Sequence, residues 1–185
     1  MFFVSCIPPA ARLLVAFGAL SLVVSGCSVS GLKGKSTPAT AALATFATPE
    51  GHVPDAAAVP PAPSALAYGG NSYDGLIGYY SEQYNVPETL VRRVIVRESG
   101  YNAGARNGPY YGLMQISHAT ASGMGYRGSP SGLLDAETNL RYAVRYLAGA
   151  YVTAGGNPDR AVRFYASGYY YDAKRAGLLD KSGLR

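Results

Sequence analysis

The stretch from Pro87 to Gly100 constrains the fold of this chain more than any other. Its apolar residues recur at helical spacing, at Leu90, Val91, Val94 and Ile95. This period predicts an amphipathic helix. Proline suits the first turn of a helix and glycine its end, so we expect the helix between these two residues. Glu98 lies four residues after Val94, which places its carboxyl group on the buried stripe.

A carboxyl group at the end of an apolar helix has a setting suited to acid catalysis. Burial raises the pKa of a carboxyl group because the charged form loses solvation. The general acid of glycoside cleavage must stay protonated near neutral pH, and burial supplies that condition. From the residues alone, however, a structural carboxylate that accepts hydrogen bonds is the more common interpretation of Glu98.

Residues 71–185 as a whole predict a small all-α domain, mainly helical α+β at most. Further helices are expected near residues 72–84, 118–124, 135–151 and 159–167, with a short last turn near 174–179. No alternating strand pattern of useful length occurs, so we expect one or two hairpin-like loops at most. Ser117 is expected to cap the helix that begins at His118.

The first 27 residues predict a signal peptide. An uncharged run, Leu13–Val24, follows Arg12 and is too short for a comfortable membrane span. Val24–Cys27 resembles the lipobox of bacterial lipoproteins, in which the cysteine is diacylated and becomes the mature N-terminus. This resemblance implies a lipid anchor at Cys27, and Ser28 after it implies the outer membrane, facing the periplasm. A plain secretory signal with an incidental cysteine is the alternative.

Residues 28–70 separate this segment from the helical domain. They are rich in Ala, Pro, Thr and Ser and have little apolar periodicity, which predicts a disordered linker. The net charge of +5 suits an anionic partner such as nucleic acid, anionic lipid or cell-wall carboxylates. The basic residues are scattered, so nucleic acid is not an expected partner.

The chemistry-bearing residue types exclude several classes of site. The chain has only two cysteines, Cys6 and Cys27, and cleavage before Cys27 leaves no pair for a disulfide. Neither His52 nor His118 has a partner at metal-ligand spacing. We therefore expect no metal and no cofactor.

Four motifs occur in an order typical of one enzyme family. They are Glu98–Asn102, Gly112–Ile116, Asp135–Leu140 and Phe164–Gly168, which read ESGYN, GLMQI, DAETNL and FYASG. Together they resemble the catalytic core of SLT-type (family 1) lytic transglycosylases, over roughly residues 79–177. The resemblance implies a lysozyme-like fold and peptidoglycan as the substrate.

The resemblance also implies a mechanism with one carboxyl group. Protonated Glu98 would donate to the oxygen that links N-acetylmuramic acid to N-acetylglucosamine. The resulting carboxylate would then accept the proton of the C6 hydroxyl as this attacks C1, which yields a 1,6-anhydromuramoyl end without water. The substrate N-acetyl carbonyl would replace the second carboxylate of ordinary glycosidases.

The resemblance implies further roles around this acid. The residues expected to bind substrate are Gln115, Met114, Tyr165, Tyr111 and Ser117, with Tyr165 bonding near Glu98 or the sugar and Met114 packing under the loop. The expected supporting residues are Ser99 at the helix end, with Glu137 and Asn139 bracing loops. Tyr110, Tyr111 and Tyr169–Tyr171 offer stacking faces for sugars, although simple packing is equally open for each. Ala166 stands where the family usually has asparagine.

Two other functions remain open from the sequence. One is a muramidase-type hydrolase, which needs a carboxylate placed to activate water, and no obvious candidate exists. The other is a non-catalytic peptidoglycan-binding protein, for example one that docks cell-wall or secretion machinery. Product analysis separates the first two functions, and Glu98→Gln separates both from the third.

Overall fold

A computed structural model of the chain describes residues 51–64 and 73–184. These residues form six α-helices, one 3-10 helix and one small sheet, which confirms the predicted, mainly helical fold class. No helix among them is long and apolar enough to cross a membrane. The predicted signal peptide and lipobox, residues 1–27, lie outside the described residues.

The elements follow one another closely along the chain. The helices are α1 (Asp74–Gln83), α2 (Glu88–Glu98), α3 (His118–Gly123), α4 (Ala136–Thr153), α5 (Pro158–Ser167) and α6 (Tyr170–Arg175). The strands are β1 (Arg106–Asn107), β2 (Tyr110–Tyr111) and β3 (Ile116–Ser117), antiparallel and paired in that order. The 3-10 helix, Pro130–Leu134, directly precedes α4. The sequence predicted neither this helix nor the start of α6 at Tyr170.

Helix α2 has the buried face and the end that its sequence predicts. Its four periodic apolar residues are all buried. Gly100 adopts a φ of +58° and donates its N–H to the Ile95 carbonyl at 3.1 Å, a conformation that glycine adopts without strain. Glu98 is consequently the last helical residue, at the edge of the core rather than within it.

Helix α4 is the centre of the domain. The Asp135 carboxylate caps its start by accepting from the Thr138 N–H at 2.8 Å. Helices α1, α3 and α5 and the 3-10 helix all pack against it, so apolar residues are buried around most of its circumference. Each fully buried aliphatic side chain contributes roughly 1.5–3 kcal/mol to stability, and α4 therefore anchors the other elements.

Residues 51–64 pack against this helix, although the sequence predicted a disordered linker over residues 28–70. We call this segment the strap. Every third residue along much of it is buried, namely Val53, Ala56, Val59 and Ala62. This period fits neither a helix nor a strand, which explains why it carried no signal. For residues 51–64 the predicted disorder is corrected, and the rest of that linker up to the start of the domain lies outside the described residues.

Polar side chains of α4 hold the backbone of the strap. They follow one another at one-turn spacing, as Glu137, Arg141 and Arg145. The Glu137 carboxylate accepts from the Ala62 N–H at 2.8 Å. The Arg141 guanidinium donates to the carbonyls of Ala56 and Val59. One face of the central helix thus binds the strap.

Arg145 is the most buried of these three side chains, with 3% of its surface exposed. It donates to the Pro54 carbonyl at 2.9 Å, to the Asp55 carboxylate at 2.6 Å and to the Met124 carbonyl at 3.0 Å. A buried guanidinium is tolerated only when its donors are satisfied. Because two of its partners belong to the strap, the strap is part of the domain.

Candidate active site

Glu98 lies in a cleft of about 230 Å³ between the end of α2, the small sheet and α5. The other residues that line it are Arg97, Asn107, Tyr110, Gln115, Tyr165 and Ala166. The Glu98 side chain is 24% exposed, so its carboxyl group is largely shielded from solvent yet open to the cleft. This is the setting that a proton donor to a bound molecule requires.

Burial raises the pKa of the Glu98 carboxyl group above its ordinary value, and the charge of Arg97 opposes this rise. The Arg97 Nε lies 3.7 Å from the nearer Glu98 oxygen. The Arg97 side chain is about half exposed, so solvent screens its attraction. Desolvation therefore dominates, and Glu98 keeps its proton to a higher pH than an exposed glutamate does.

No second carboxylate lines this cleft among the residues that the structure describes. Ordinary glycosidases place two carboxyl groups about 5–10 Å apart across the scissile bond. The arrangement around Glu98 instead suits chemistry in which one group acts first as acid and then as base.

Asn139 holds the loop that faces Glu98. It is fully buried and makes three hydrogen bonds: it accepts from the Met114 N–H at 3.0 Å and donates to the Tyr111 and Leu133 carbonyls at 2.8 Å each. A side chain at Gly112, where φ is +74°, would collide with the Asn139 amide. The glycine and the asparagine are therefore required together, and Asn139 lies on the core side of the loop rather than in the cleft.

Gln115 reaches the cleft from a strained backbone conformation, with φ at +48°. Its side-chain nitrogen donates to the Ala105 carbonyl at 3.0 Å and to the Gly112 carbonyl at 2.9 Å. Both amide hydrogens are thereby committed to the loop. The amide oxygen is left as the atom that can accept a hydrogen bond from a ligand in the cleft.

Tyr165 fixes the same loop from the side of α5. Its hydroxyl donates to the Met114 carbonyl at 2.8 Å. Burial and, secondly, the negative charge of Glu98 hold the pKa of this phenol well above its ordinary value, so it stays a donor. The family resemblance implied a hydrogen bond of this hydroxyl near Glu98 or the sugar. In the structure the hydroxyl bonds to the loop backbone, close enough to Glu98 to feel its charge, and Tyr165 lines the cleft.

Two serines join the helix ends to the site. The Ser99 hydroxyl donates to the Leu113 carbonyl at 2.7 Å, which ties the end of α2 to the loop that Asn139 holds. The Ser117 hydroxyl oxygen accepts from the Thr120 N–H at 3.0 Å and so caps α3. Ser117 also lines a second cleft beside the first.

Three further residues of the expected site, two of them named as substrate-binding and Glu137 as a brace, lie outside the cleft. Met114 is fully buried in the core. Tyr111 is buried with the Arg106 guanidinium 5.1 Å from its ring centroid. Glu137 bonds to the strap and to the Tyr80 hydroxyl at 3.1 Å. Their placement makes them supports of the loop, the sheet and the strap.

Three further residues line the cleft, and of these only Tyr110 was named from the sequence, as a candidate stacking face for sugars. Tyr110 lines it in place of Tyr111, because successive residues of a strand point to opposite faces. Arg97 is about half exposed and lies beside Glu98 at the edge of the cleft. Asn107 carried no signal, since its position depends on the pairing of β1 with β2.

The second cleft, of about 200 Å³, continues the first. Both share the walls formed by Tyr110, Gln115, Tyr165 and Ala166. From there the second cleft runs past Ser117 towards Tyr146 and Gly168. Glu98 is therefore at one end of a groove rather than in an isolated pocket. Among the described residues, no group of three or more His, Cys, Asp or Glu side chains is placed to hold a metal ion.

Comparison with known proteins gives two matches over this part of the chain. The family model described as the transglycosylase SLT domain matches residues 75–177, more than half of the chain. The structure is similar to the crystal structure of the 70 kDa soluble lytic transglycosylase of Escherichia coli, with a TM-score of 0.50 and 26% sequence identity. That match covers 60% of this chain and 19% of the other chain, so the similarity concerns about a fifth of the larger protein.

Proposed function

This chain belongs to the transglycosylase SLT domain family, and we propose that it is a lytic transglycosylase of peptidoglycan. The bond cleaved is the β-1,4 linkage between N-acetylmuramic acid and N-acetylglucosamine. The observation that carries the proposal is the position of Glu98, a carboxyl group with a raised pKa at one end of a long groove. No other carboxylate among the described residues lines its cleft.

Glu98 acts first as acid and then as base. It gives its proton to the bridging oxygen, which leaves on the N-acetylglucosamine side as a hydroxyl group. The N-acetyl carbonyl of the muramoyl residue stabilises C1 while the bond breaks. The C6 hydroxyl then attacks C1 and returns a proton to the Glu98 carboxylate, so the protein is unchanged and the product ends in 1,6-anhydromuramic acid.

The loop opposite Glu98 orients the sugar. The Gln115 amide oxygen accepts from an N-acetyl N–H or a hydroxyl group of the substrate, since its nitrogen is bonded to the loop. Asn139 and Tyr165 act on the substrate through this loop, which they hold at the Met114 N–H and carbonyl. Catalysis depends on such fixed geometry, because small displacements of a reacting group cost rate steeply.

The test is product analysis by mass spectrometry of muropeptides released from purified sacculi by the full chain. Anhydro-muropeptides, lighter than reducing-end products by one water, are the expected result. Reducing ends would establish a hydrolase instead, and no release by the folded protein would favour a glycan-binding role.

Glu98→Gln is the matched variant, because it keeps the shape of the side chain and removes the transferable proton. We expect it to abolish release while leaving the fold intact. Glu82→Gln, at an exposed position on α1, is the control and should release product at the rate of the unaltered chain. Unchanged turnover in Glu98→Gln would refute the assignment.

We further propose that the protein is lipid-anchored at Cys27, in the outer membrane facing the periplasm. The lipobox-like Val24–Cys27 supports this proposal. Cys27→Ser should move the protein from the membrane fraction to the soluble fraction of the envelope. Continued membrane association of that variant would contradict the lipid anchor. Recruitment by cell-wall or secretion machinery is the kind of partnership that such an anchor permits.

A further inference from the structure

A third cavity, of about 290 Å³, extends the groove away from Glu98. It shares Tyr146, Ser167 and Gly168 with the second cleft, which in turn shares four residues with the cleft that holds Glu98. Four tyrosines line it, at positions 146, 169, 170 and 171, together with Asp172. The three cavities form one continuous path along the surface.

Exposed apolar surface is concentrated on this path. Among the described residues the large apolar side chains that remain exposed are Val96, Tyr110, Tyr170 and Tyr171, at 60%, 47%, 43% and 72%. All three tyrosines line the groove, Tyr110 near Glu98 and the other two in the third cavity. Clustered exposed aromatic rings mark binding surfaces.

The two exposed rings contact each other and directly follow a buried, hydrogen-bonded tyrosine. Tyr170 and Tyr171 meet edge to face at 5.3 Å between centroids, at the start of α6. Tyr169, which directly precedes them, is buried, and its hydroxyl donates to the Tyr146 carbonyl at 3.0 Å. A platform held in this way loses little conformational freedom when a ligand binds.

We propose that this cavity is a distal sugar subsite, which binds a pyranose ring of the same glycan strand whose scissile bond lies at Glu98. The C–H faces of a pyranose stack on the tyrosine rings. The Asp172 carboxylate, paired with Arg175 at 2.7 Å, accepts hydrogen bonds from sugar hydroxyls. The same carboxylate repels the acidic groups of a stem peptide, which favours the sugar as occupant. The strand assignment rests on the proposed function, whereas binding at the cavity is measured separately.

A consequence is that affinity depends on strand length. A short glycan that fills only the cleft at Glu98 does not reach the third cavity, whereas a long strand occupies both. Loss of one aromatic stacking contact corresponds to about a tenfold change in dissociation constant. We therefore expect Tyr171→Ala to weaken the binding of long strands about tenfold and to leave that of short glycans unchanged.

The experiment uses the full chain carrying Glu98→Gln, so that strands are bound and not cleaved. Peptide-free glycan strands of defined short and long lengths are titrated against this protein with and without Tyr171→Ala or Tyr170→Ala/Tyr171→Ala. Val96→Ala, which removes exposed apolar surface away from the described clefts, is the matched control. The denaturation midpoint of each variant is compared with that of its parent to verify folding.

Selective loss for long strands, with none in the Val96 control, supports the subsite. Equal loss for short and long glycans, or no loss for long strands, overturns it. Peptide-bearing strands of the same lengths are titrated in parallel, and a loss seen only with them also overturns the proposal and identifies the stem peptide as the occupant. If the unaltered chain releases no anhydro product while long-strand binding still depends on Tyr171, the proposed reaction fails and the sugar subsite stands.

Discussion

The Tyr165 hydroxyl donates to the Met114 carbonyl at 2.8 Å, so this phenol is bonded to the loop that faces Glu98. Tyr165→Phe should therefore lower the free energy of unfolding by about 1–2 kcal/mol, because a buried carbonyl loses its donor. We expect kcat to fall about tenfold as the loop loosens. Urea denaturation and steady-state kinetics measure the two effects. A large fall in kcat with unchanged stability would contradict the positioning role and indicate direct action on substrate.

Asn139 should be intolerant of a carboxylate. Asn139→Asp keeps an acceptor for the Met114 N–H but loses both donors, and it turns a negative charge towards the Tyr111 and Leu133 carbonyls. We expect a loss of about 3 kcal/mol or more in unfolding free energy at neutral pH.

Asn157→Asp is the control for this change. Asn157 caps α5 by accepting from the Arg160 N–H at 2.9 Å, and aspartate performs that role equally well. Its unfolding free energy should stay within about 0.5 kcal/mol of the unaltered protein. Similar losses of unfolding free energy in both variants would show that the buried hydrogen bonds of Asn139 are not the cause.

The raised pKa of Glu98 carries a stability cost whose sign can be tested. Folding disfavours the charged form, so the contribution of this group to stability is fully present below its unfolded pKa and is lost as pH rises through its folded pKa. Glu98→Gln avoids this loss of stability because glutamine does not ionise. We expect this variant to be more stable than the unaltered protein at neutral pH and equally stable below about pH 4, where both are uncharged. Urea denaturation at the two pH values measures the difference in unfolding free energy between the variant and the unaltered protein. For Glu82→Gln that difference should not depend on pH.

Arg97 should set the alkaline limit of activity. It opposes the rise in the Glu98 pKa from 3.7 Å away, so Arg97→Gln should raise that pKa further. The alkaline limb of the pH profile of kcat/KM should then move to higher pH, because Glu98 must be protonated to donate. Arg93→Gln, which alters an exposed arginine paired with Asp159, is the control. A shift to lower pH, or an equal shift in both variants, would contradict this role.

The strap should be needed for stability. A protein that begins at residue 65 leaves the Arg145 guanidinium without its Pro54 and Asp55 partners and exposes to water the apolar surface that the strap covers. We expect it to lose at least about 3 kcal/mol relative to one that begins at residue 51. Asp55→Ala should cost less, since the Asp55 side chain is 52% exposed. Denaturation midpoints measure both; equal midpoints for the two truncations would show that the strap contributes nothing.

The sequence predicts those helices whose apolar periodicity and end residues lie within the helix itself or next to it. Helix α2 follows from its apolar period and its bounding Pro87 and Gly100, and α4 from its period and the Asp135 cap. The strap could not be predicted in this way, because α4 side chains hold it mainly through its backbone N–H and carbonyl groups, which carry no sequence signal.

In the candidate site, too, some features follow from the local sequence and others depend on how distant elements pack. The position of Glu98 follows from helical spacing, and the motif at Gly112–Ile116 predicts the loop that faces it. The choice between Tyr110 and Tyr111 depends on which face of a two-residue strand meets the cleft. The bond from Tyr165 to Met114 joins residues far apart in sequence, so it depends on how α5 packs. Neither has a local sequence signal.

The strap also decides how a pull on the chain would be distributed. The Val53 N–H donates to the Lys181 carbonyl at 2.9 Å, so tension from residues before 51 first loads this bond and then the contacts of Arg145. Those contacts lie on the face of α4 that carries Glu137 and Arg141. Asn139, midway between these two in sequence, points to the opposite face, because two residues turn a helix by about 200°. A pull on the chain would therefore load one side of α4, whereas the opposite side holds the loop that faces Glu98.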